Sequence, residues 1–208
     1  MHILALSDIH NRTEILKKLV EQAKDFQLVL IAGDLTNYGP VERAEEALCV
    51  LEGTQVFAVP GNLDSWDVAR YIERKGVSIH GKEKEVCGIH ILGFGGGLKG
   101  NVGEVLFDEQ EIASELLKAG IKPDVLVTHL PPYGSKLDKV APNTHIGSRA
   151  VREAIERIQP RLHICGHAHE CYGEEKIGNT LCINVAAVKE GRAVLIDVDT
   201  RTYKWLEC

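Results

Sequence analysis

The 208-residue sequence predicts an α/β fold: a four-layer α-β-β-α sandwich of two mixed sheets flanked by helices. Two observations point there. Short β-branched and leucine-rich runs alternate with segments of helical spacing through the first half, and strand-like runs alone close the chain. A β-α-β-α-β-α order with right-handed crossovers makes the first sheet largely parallel. Taken in order, His2–Leu6, Leu28–Ala32 and Gln55–Val59 read as strands. Between the first two, Ile15, Leu16, Leu19, Val20 and Ala23 share one helical face. Val41, Ala44, Leu48 and Leu51 do the same after Pro40, whose fixed φ suits a first helical residue. Ser65 caps a helix through Lys75, with Gly76 in the stop position. Ile89–Phe94 is a further strand. Asp108-Glu109-Gln110-Glu111 is a capping box that opens a helix to Ala119, closed by Gly120. After the strand Val125–Thr128, Ser148 opens a helix striped by Val151, Ala154, Ile155 and Ile158. Leu162–Cys165 and residues 181–185 and 192–198 complete the strands. The turns Gly178-Asn179 and Glu190-Gly191 among them have hairpin chemistry.

Composition narrows the class. With 44% hydrophobic and 26% charged residues the chain is an ordinary globule, and its length fits one domain over residues 1–208. Lys+Arg 24 against Asp+Glu 30 gives a net charge of −6, so no duplex nucleic acid is expected as a partner. Nor do the aromatic residues have the spacing of a single-strand stacking platform. The longest clean apolar run, Leu28–Ala32, is far below the ~18 residues of a membrane span. The N-terminus lacks the basic region of an export signal. The expectation is a cytoplasmic protein whose six scattered cysteines are reduced and mostly buried. Gly95-Gly96-Gly97 is a loop and no phosphate cradle, since neither Gly-Lys-Ser/Thr nor a helix start follows it.

The informative residues stand at the carboxyl ends of the strands, the edge where open α/β sheets bind ligands. Strand one runs into Asp8-Ile9-His10-Asn11, strand two into Gly33-Asp34, and strand three into Gly61-Asn62-Leu63-Asp64. The Val125 strand ends in His129 and the Leu162 strand in Gly166-His167-Ala168-His169. Each element alone is weak, because Gly-Asp is often just a turn and a lone His is often structural. The His pair is stronger, since alternate residues of an extended segment turn two imidazoles to one side. Together they offer two carboxylates, four imidazoles and one amide. That set suits Mn²⁺, Fe, Co²⁺, Ni²⁺ or Zn²⁺ rather than a structural zinc knuckle. It exceeds what one ion can use, and two ions about 3.5–4 Å apart with a shared carboxylate account for it.

In order and spacing these motifs resemble the calcineurin-like metallophosphoesterases. His129, His145-Ile146-Gly147-Ser148 and the segment around Gly166-His167-Ala168-His169 are similar to that family's small phosphodiesterase branch. The resemblance implies that Asp8, His10 and His169 hold one metal, that Asn62, His129 and His167 hold the other, and that Asp34 bridges them. It also implies that a metal-bridging hydroxide attacks phosphorus in line. Catalytic roles then fall to Asp34, Asn62 and Asp64. The departure is Leu63, where the family usually has a His that protonates the leaving oxygen; Asp64, its usual partner, is left with nothing to orient. Loss of such an acid costs roughly 10²–10⁴ in rate. His145 is a candidate for contacting phosphate or replacing that acid, with a surface or capping role as the alternative. Asn11 and Asn37 are candidates for phosphate binding, with helix capping as the alternative. Cys165 reads as core and Cys171 as partly exposed. His2, His80, His90 and His163 read as structural.

The expected function is therefore a dinuclear metal-dependent phosphodiesterase acting on small diesters, Mn²⁺ being the favoured ion. The alternative is a metal-binding regulatory or interaction module weakened at Leu63. A phosphomonoesterase is disfavoured by the absent His. The sequence leaves the oligomeric state, a homodimer included, open.

Overall fold

Leu28–Ala32 is buried at all five positions, as a strand covered on both faces must be. In His2–Leu6 the alternation is visible: Ile3 and Ala5 join one apolar cluster, Leu4 and Leu6 another. The computed structural model describes residues 1–118 and 122–208. In chain order it has β1 (His2–Leu6), α1 (Thr13–Gln22), β2 (Leu28–Ala32), α2 (Val41–Val50), β3 (Gln55–Val59) and α3 (Trp66–Arg74). Next come β4 (Lys82–Val86), β5 (Ile89–Phe94), the short β6 (Gly97–Leu98) and β7 (Leu106–Phe107), α4 (Glu109–Leu116) and β8 (Val125–Thr128). The chain continues through β9 (Lys139–Ala141), β10 (Thr144–His145), α5 (Arg149–Ile158) and β11 (Leu162–Cys165). It ends with β12 (Gly173–Ile177), β13 (Thr180–Asn184), β14 (Arg192–Asp197) and β15 (Thr202–Glu207).

Two large mixed sheets result, ordered β15-β14-β1-β2-β3 and β12-β13-β11-β8-β5-β4. Strands β1, β2 and β3 are mutually parallel, as are β5, β8, β11 and β13; antiparallel strands form every edge of these two sheets except that of β3. Three apolar clusters fall in layer order. One unites inward residues of both sheets, among them Ile3, Leu30, Val59, Ile91, Val127 and Ile164. A second packs α1, α2 and α3 on the outer face of the first sheet, and the third packs α4 and α5 on the second. Among the described residues no helix is long and apolar enough to cross a membrane.

The helix starts follow the capping chemistry. Ser65 and Ser148 accept from the backbone N–H three residues on, and the Asp108–Glu111 box is reciprocal. Pro40 is the cap residue, one before the first helical position. Four expectations change. The helix from Asp108 ends at Leu116, and its proposed end at Ala119 and Gly120 lies outside the described residues. Glu190-Gly191 is no hairpin turn: β13 and β14 lie in different sheets, and the last hairpin turns at residues 198–201. Cys171 is buried beside the His pair, not partly exposed. All six cysteines are free, and only Cys165, Cys171 and Cys182 are buried, because Cys49, Cys87 and Cys208 fall on a helix surface, a turn and the terminus.

Candidate metal centre

All seven proposed ligands leave the carboxyl ends of β1, β2, β3, β8 and β11, and the fold brings them to one place. The first sheet contributes Asp8, His10, Asp34 and Asn62, and the second contributes His129, His167 and His169. His129 Nδ1 lies 2.8 Å from the Ala32 carbonyl, and the His167 N–H donates to Asp8 Oδ2 at 3.1 Å, so the two sheet ends are tied together here. The backbone is strained where it delivers these side chains. Asp8, His10, Asp34 and His167 sit at φ of 54, 46, 52 and 68°, a region that costs a non-glycine residue roughly 1–3 kcal/mol. Gly33 has φ of 94°, and a Cβ there would overlap the His129 ring. Gly166 similarly abuts Ser7 and Asp8.

The donor atoms converge in two groups about Asp34. On one side, His169 Nε2 is 2.8 Å and His10 Nε2 3.5 Å from Asp8 Oδ1. On the other, Asn62 Oδ1 is 2.9 Å from His129 Nε2 and 3.0 Å from His167 Nδ1. Asp34 Oδ2 stands between them, 3.8 Å from His10 Nε2 and 3.5 Å from His129 Nε2. Its Oδ1 accepts the Leu63 N–H at 2.8 Å, which fixes the carboxylate plane. Ligand bonds of about 2.0–2.2 Å place neighbouring donors about 3–3.5 Å apart, and these atoms stand 2.8–3.8 Å apart.

The donor chemistry fits cations. His10 Nε2 is buried with no hydrogen-bond partner, 3.5 Å from Asp8 Oδ1 and 3.8 Å from Asp34 Oδ2. Asp8 and Asp34 are buried, and among the described residues only histidines stand within ion-pair distance of them. Two buried carboxylates without lysine or arginine call for positive charge from elsewhere. For Asp8, burial opposes ionisation, yet the His10 and His169 contacts outweigh it and hold the carboxyl well below its usual range. Burial also opposes charge on His129, but Asp34 and Asp8 push its imidazole up to about 9. Burial, the larger effect, and the neighbouring His129 draw His167 down to about 4. With Nδ1–H donated to Ala32, Nε2 is the nitrogen that would give up its proton to a metal, the outer-shell arrangement usual for zinc-type histidines.

The remaining candidates stand apart from this cluster. Asn11 is half-buried with its Oδ1 unpartnered, and Asn37 is exposed. Neither caps a helix, since Arg12 and Pro40 occupy those places. His145 lies on the β9–β10 hairpin, which packs beside the His169–Cys171 turn, and its Nδ1 is 2.7 Å from Asp138 Oδ1. Among the described residues no hydrogen bond joins Asn11, Asn37 or His145 to the seven ligands. Asp64 is not idle: it is wholly buried and accepts from Leu35 N, Thr36 N, Thr36 Oγ1 and Gly61 N at 2.8–3.2 Å. Burial and the nearby Asp34 charge push its carboxyl up to about 6, against the Gly61 N, Thr36 N and Thr36 Oγ1 donors. Sequence reasoning missed Ser7, whose Oγ donates to Asp8 Oδ2 at 2.6 Å, and Asp138. Ser7 carried a signal as the neighbour of Asp8. Asp138 carried none.

Fold and site together define an α/β protein with a carboxylate–imidazole cluster of metal-binding character. The calcineurin-like phosphoesterase family model matches residues 1–171. The uncharacterized protein MJ1162 of Methanocaldococcus jannaschii is 32% identical over 193 residues, which covers 88% of this chain and 87% of that protein. Among solved structures, TT1561 of Thermus thermophilus superposes with a TM-score of 0.76 at 19% identity, over 99% of this chain and 98% of that one. A phosphatase of Mycoplasma pneumoniae gives 0.66 at 13% identity, over 100% and 93%. At such identities the structures speak to fold alone. The chain belongs to the calcineurin-like phosphoesterase family, and it is by that membership a metal-dependent phosphoesterase.

Proposed function

We propose that this chain hydrolyses small phosphodiesters at a two-ion centre, with Mn²⁺ the favoured ion. The observation that carries this reading is the position of Asp34 Oδ2 between His10 Nε2 and His129 Nε2, with a separate donor group on either side. Divalent ions held there supply Lewis acidity toward the phosphoryl oxygens and lower the pKa of water toward neutrality. The protein's own share is positioning. Leu63 N orients Asp34, Ser7 Oγ and His167 N orient Asp8, and the Ala32 carbonyl sets the His129 tautomer. Leu63 has no proton to give, so the chain favours esters whose leaving group needs little help. Monoesters, which carry one more negative charge, have no charged side chain at that position to steady them. Asn11, Asn37 and His145 are the proposed substrate-facing polar groups, with His145 held by Asp138.

A second reading, a metal-binding regulatory module, is favoured by Leu63 alone. One experiment separates the two. Protein stripped of metal and reloaded with Mn²⁺ is assayed on an aryl phosphodiester and an aryl phosphomonoester, with bound metal counted. Turnover of the diester above the monoester supports the proposal. Two bound ions without turnover of either ester, across Mn²⁺, Fe²⁺, Co²⁺, Ni²⁺ and Zn²⁺, would leave the regulatory module.

A further inference from the structure

Only four large hydrophobic side chains are exposed among the described residues: Tyr38, Trp66, Val102 and Tyr172. The first three flank the segment that carries Asn62 and Leu63. Tyr38 N donates to the Leu63 carbonyl at 2.7 Å, and Asn62 Nδ2 donates to the Val102 carbonyl at 2.8 Å. Gly103 lies so close to Asn62 that a Cβ there would overlap its backbone. Trp66 opens α3 four residues after Asn62, its ring edge-on to Phe107 at 6.0 Å between centroids. Their exposures are 46% for Tyr38, 43% for Trp66 and 72% for Val102. Tyr38 is also held at φ of 61°, a conformation that a bulky side chain adopts only when its surroundings enforce it. The enforcement is visible: Leu63 O takes its N–H, and Thr36 Oγ1, itself bound by Asp64, takes the N–H of Gly39.

Singly exposed hydrophobics need no explanation, but here three of the four sit on chain segments that abut or follow Asn62 and Leu63. Residues 37–38, 62–66 and 101–104 contain no lysine or arginine. Those stretches themselves offer a negatively charged substituent no counter-charge. We propose that Leu63, Tyr38, Val102 and Trp66 form a subsite for an uncharged aromatic ester group, and that this group departs as the leaving alcohol. The inference rests on the phosphodiesterase reading and names its substrate class: aryl diesters.

The chemistry agrees with the lining. A water oxygen forms the new bond to phosphorus and gives its proton to solvent. The bond between phosphorus and the aryl oxygen breaks, and the electron pair leaves on that oxygen. A phenol-type oxygen, with a pKa near 10, leaves without a donor, whereas an alkoxide, nearer the ~15.7 of water, does not. An apolar residue at position 63 thus fits the same substrate twice, by contact and by making protonation unnecessary.

The test uses the Mn²⁺-loaded full chain and two non-hydrolysable probes, phenylphosphonate and methylphosphonate, with affinities read by calorimetry. Phenylphosphonate is expected to bind about tenfold tighter, and Val102→Ser and Tyr38→Ser, both at exposed positions, are each expected to shrink that ratio several-fold. In parallel, the rate on a series of aryl diesters should fall steeply as the leaving phenol becomes less acidic. Equal affinities, or a ratio untouched by both variants, overturn the aromatic subsite while leaving the phosphodiesterase reading standing. Failure of protein with two bound ions to bind either phosphonate or turn over any diester overturns both.

Discussion

Asp138 Oδ1 lies 2.7 Å from His145 Nδ1, and the same buried carboxylate accepts the N–H groups of Gly134 and Gly147 through Oδ2. The imidazole is therefore held by one nitrogen on a rigid partner while its Nε2 is left for other work. A tilted contact with the Tyr133 ring, centroids 5.5 Å apart, restricts it further. If His145 binds a phosphoryl oxygen, His145→Ala removes a charge-assisted hydrogen bond of about 1.5–3 kcal/mol, and kcat/KM on a diester falls roughly 10- to 100-fold. Asp138→Asn keeps the shape and loses the orienting charge, and a smaller loss in the same direction is expected. Unchanged kinetics in both variants would place His145 outside the site.

Asp34→Asn is expected to break the pair of metal positions. Its Oδ2 lies within 4 Å of both His10 Nε2 and His129 Nε2. The amide retains bulk but offers a single neutral oxygen in place of an ionised carboxylate. Bound metal counted by elemental analysis should fall below two per chain. Activity should drop by more than the 10- to 100-fold attached to losing an outer-shell partner.

The sheets were legible because β1, β2, β3, β8 and β11 are buried on both faces and so appear as unbroken apolar runs. β4 was not: its Lys-Glu-Lys-Glu-Val sequence pairs only with β5 at a sheet edge, where charge guards against aggregation. The edge strands β12 and β15 were hidden for the same reason. The ligands were legible because each follows a strand directly, so chain order already encodes spatial convergence. Asp138 was illegible because it acts from the loop between β8 and β9, with no local pattern to mark it. Asp64 was misjudged in kind. Read as the stranded partner of a missing His, it proves to fasten its own Gly61–Asp64 loop to the Leu35-Thr36 segment.

That role gives a stability prediction. Asp64→Ala leaves the N–H groups of Leu35, Thr36 and Gly61 and the Thr36 hydroxyl without their acceptor. At about 1 kcal/mol or more for each buried donor, the loss is on the order of 4 kcal/mol. Asp64→Asn keeps one acceptor oxygen and should lose about half as much. Urea unfolding of metal-free protein reads this directly. A midpoint unmoved by Asp64→Ala would show that the four contacts do not hold the loops.

Two histidines outside the centre set a pH dependence. His163 Nε2 meets Thr128 Oγ1 at 2.8 Å, and that hydroxyl already donates to the Leu130 carbonyl. The proton is therefore on Nε2, and Nδ1 is buried without a partner. Charging Nδ1 would bury an unpaired cation, so burial pulls His163 down to about 3. His80 accepts the Gly95 N–H at Nδ1 and packs against both Phe94 and Phe107, with centroids at 4.5 and 5.2 Å. Burial draws it down to about 4, with Lys82 adding to the effect and Glu115 and Glu73 opposing it. Both folded values lie below the unfolded value near 6.5, so between about pH 4 and 6.5 the unfolded chain binds two protons that the folded chain refuses. Stability from these groups is complete above pH 6.5 and is lost as the pH falls toward 4, then 3. Each contributes a slope of up to about 1.4 kcal/mol per pH unit. His80→Phe fills the same aromatic stack but cannot titrate. Its unfolding free energy, measured in urea with excess chelator, should show a slope lower than the parent's by about that amount between pH 4.5 and 6. Chelation removes the pH dependence of metal binding, and the ligand histidines, present in both proteins, cancel in the comparison. Identical slopes would mean that His80 takes up its proton inside the fold.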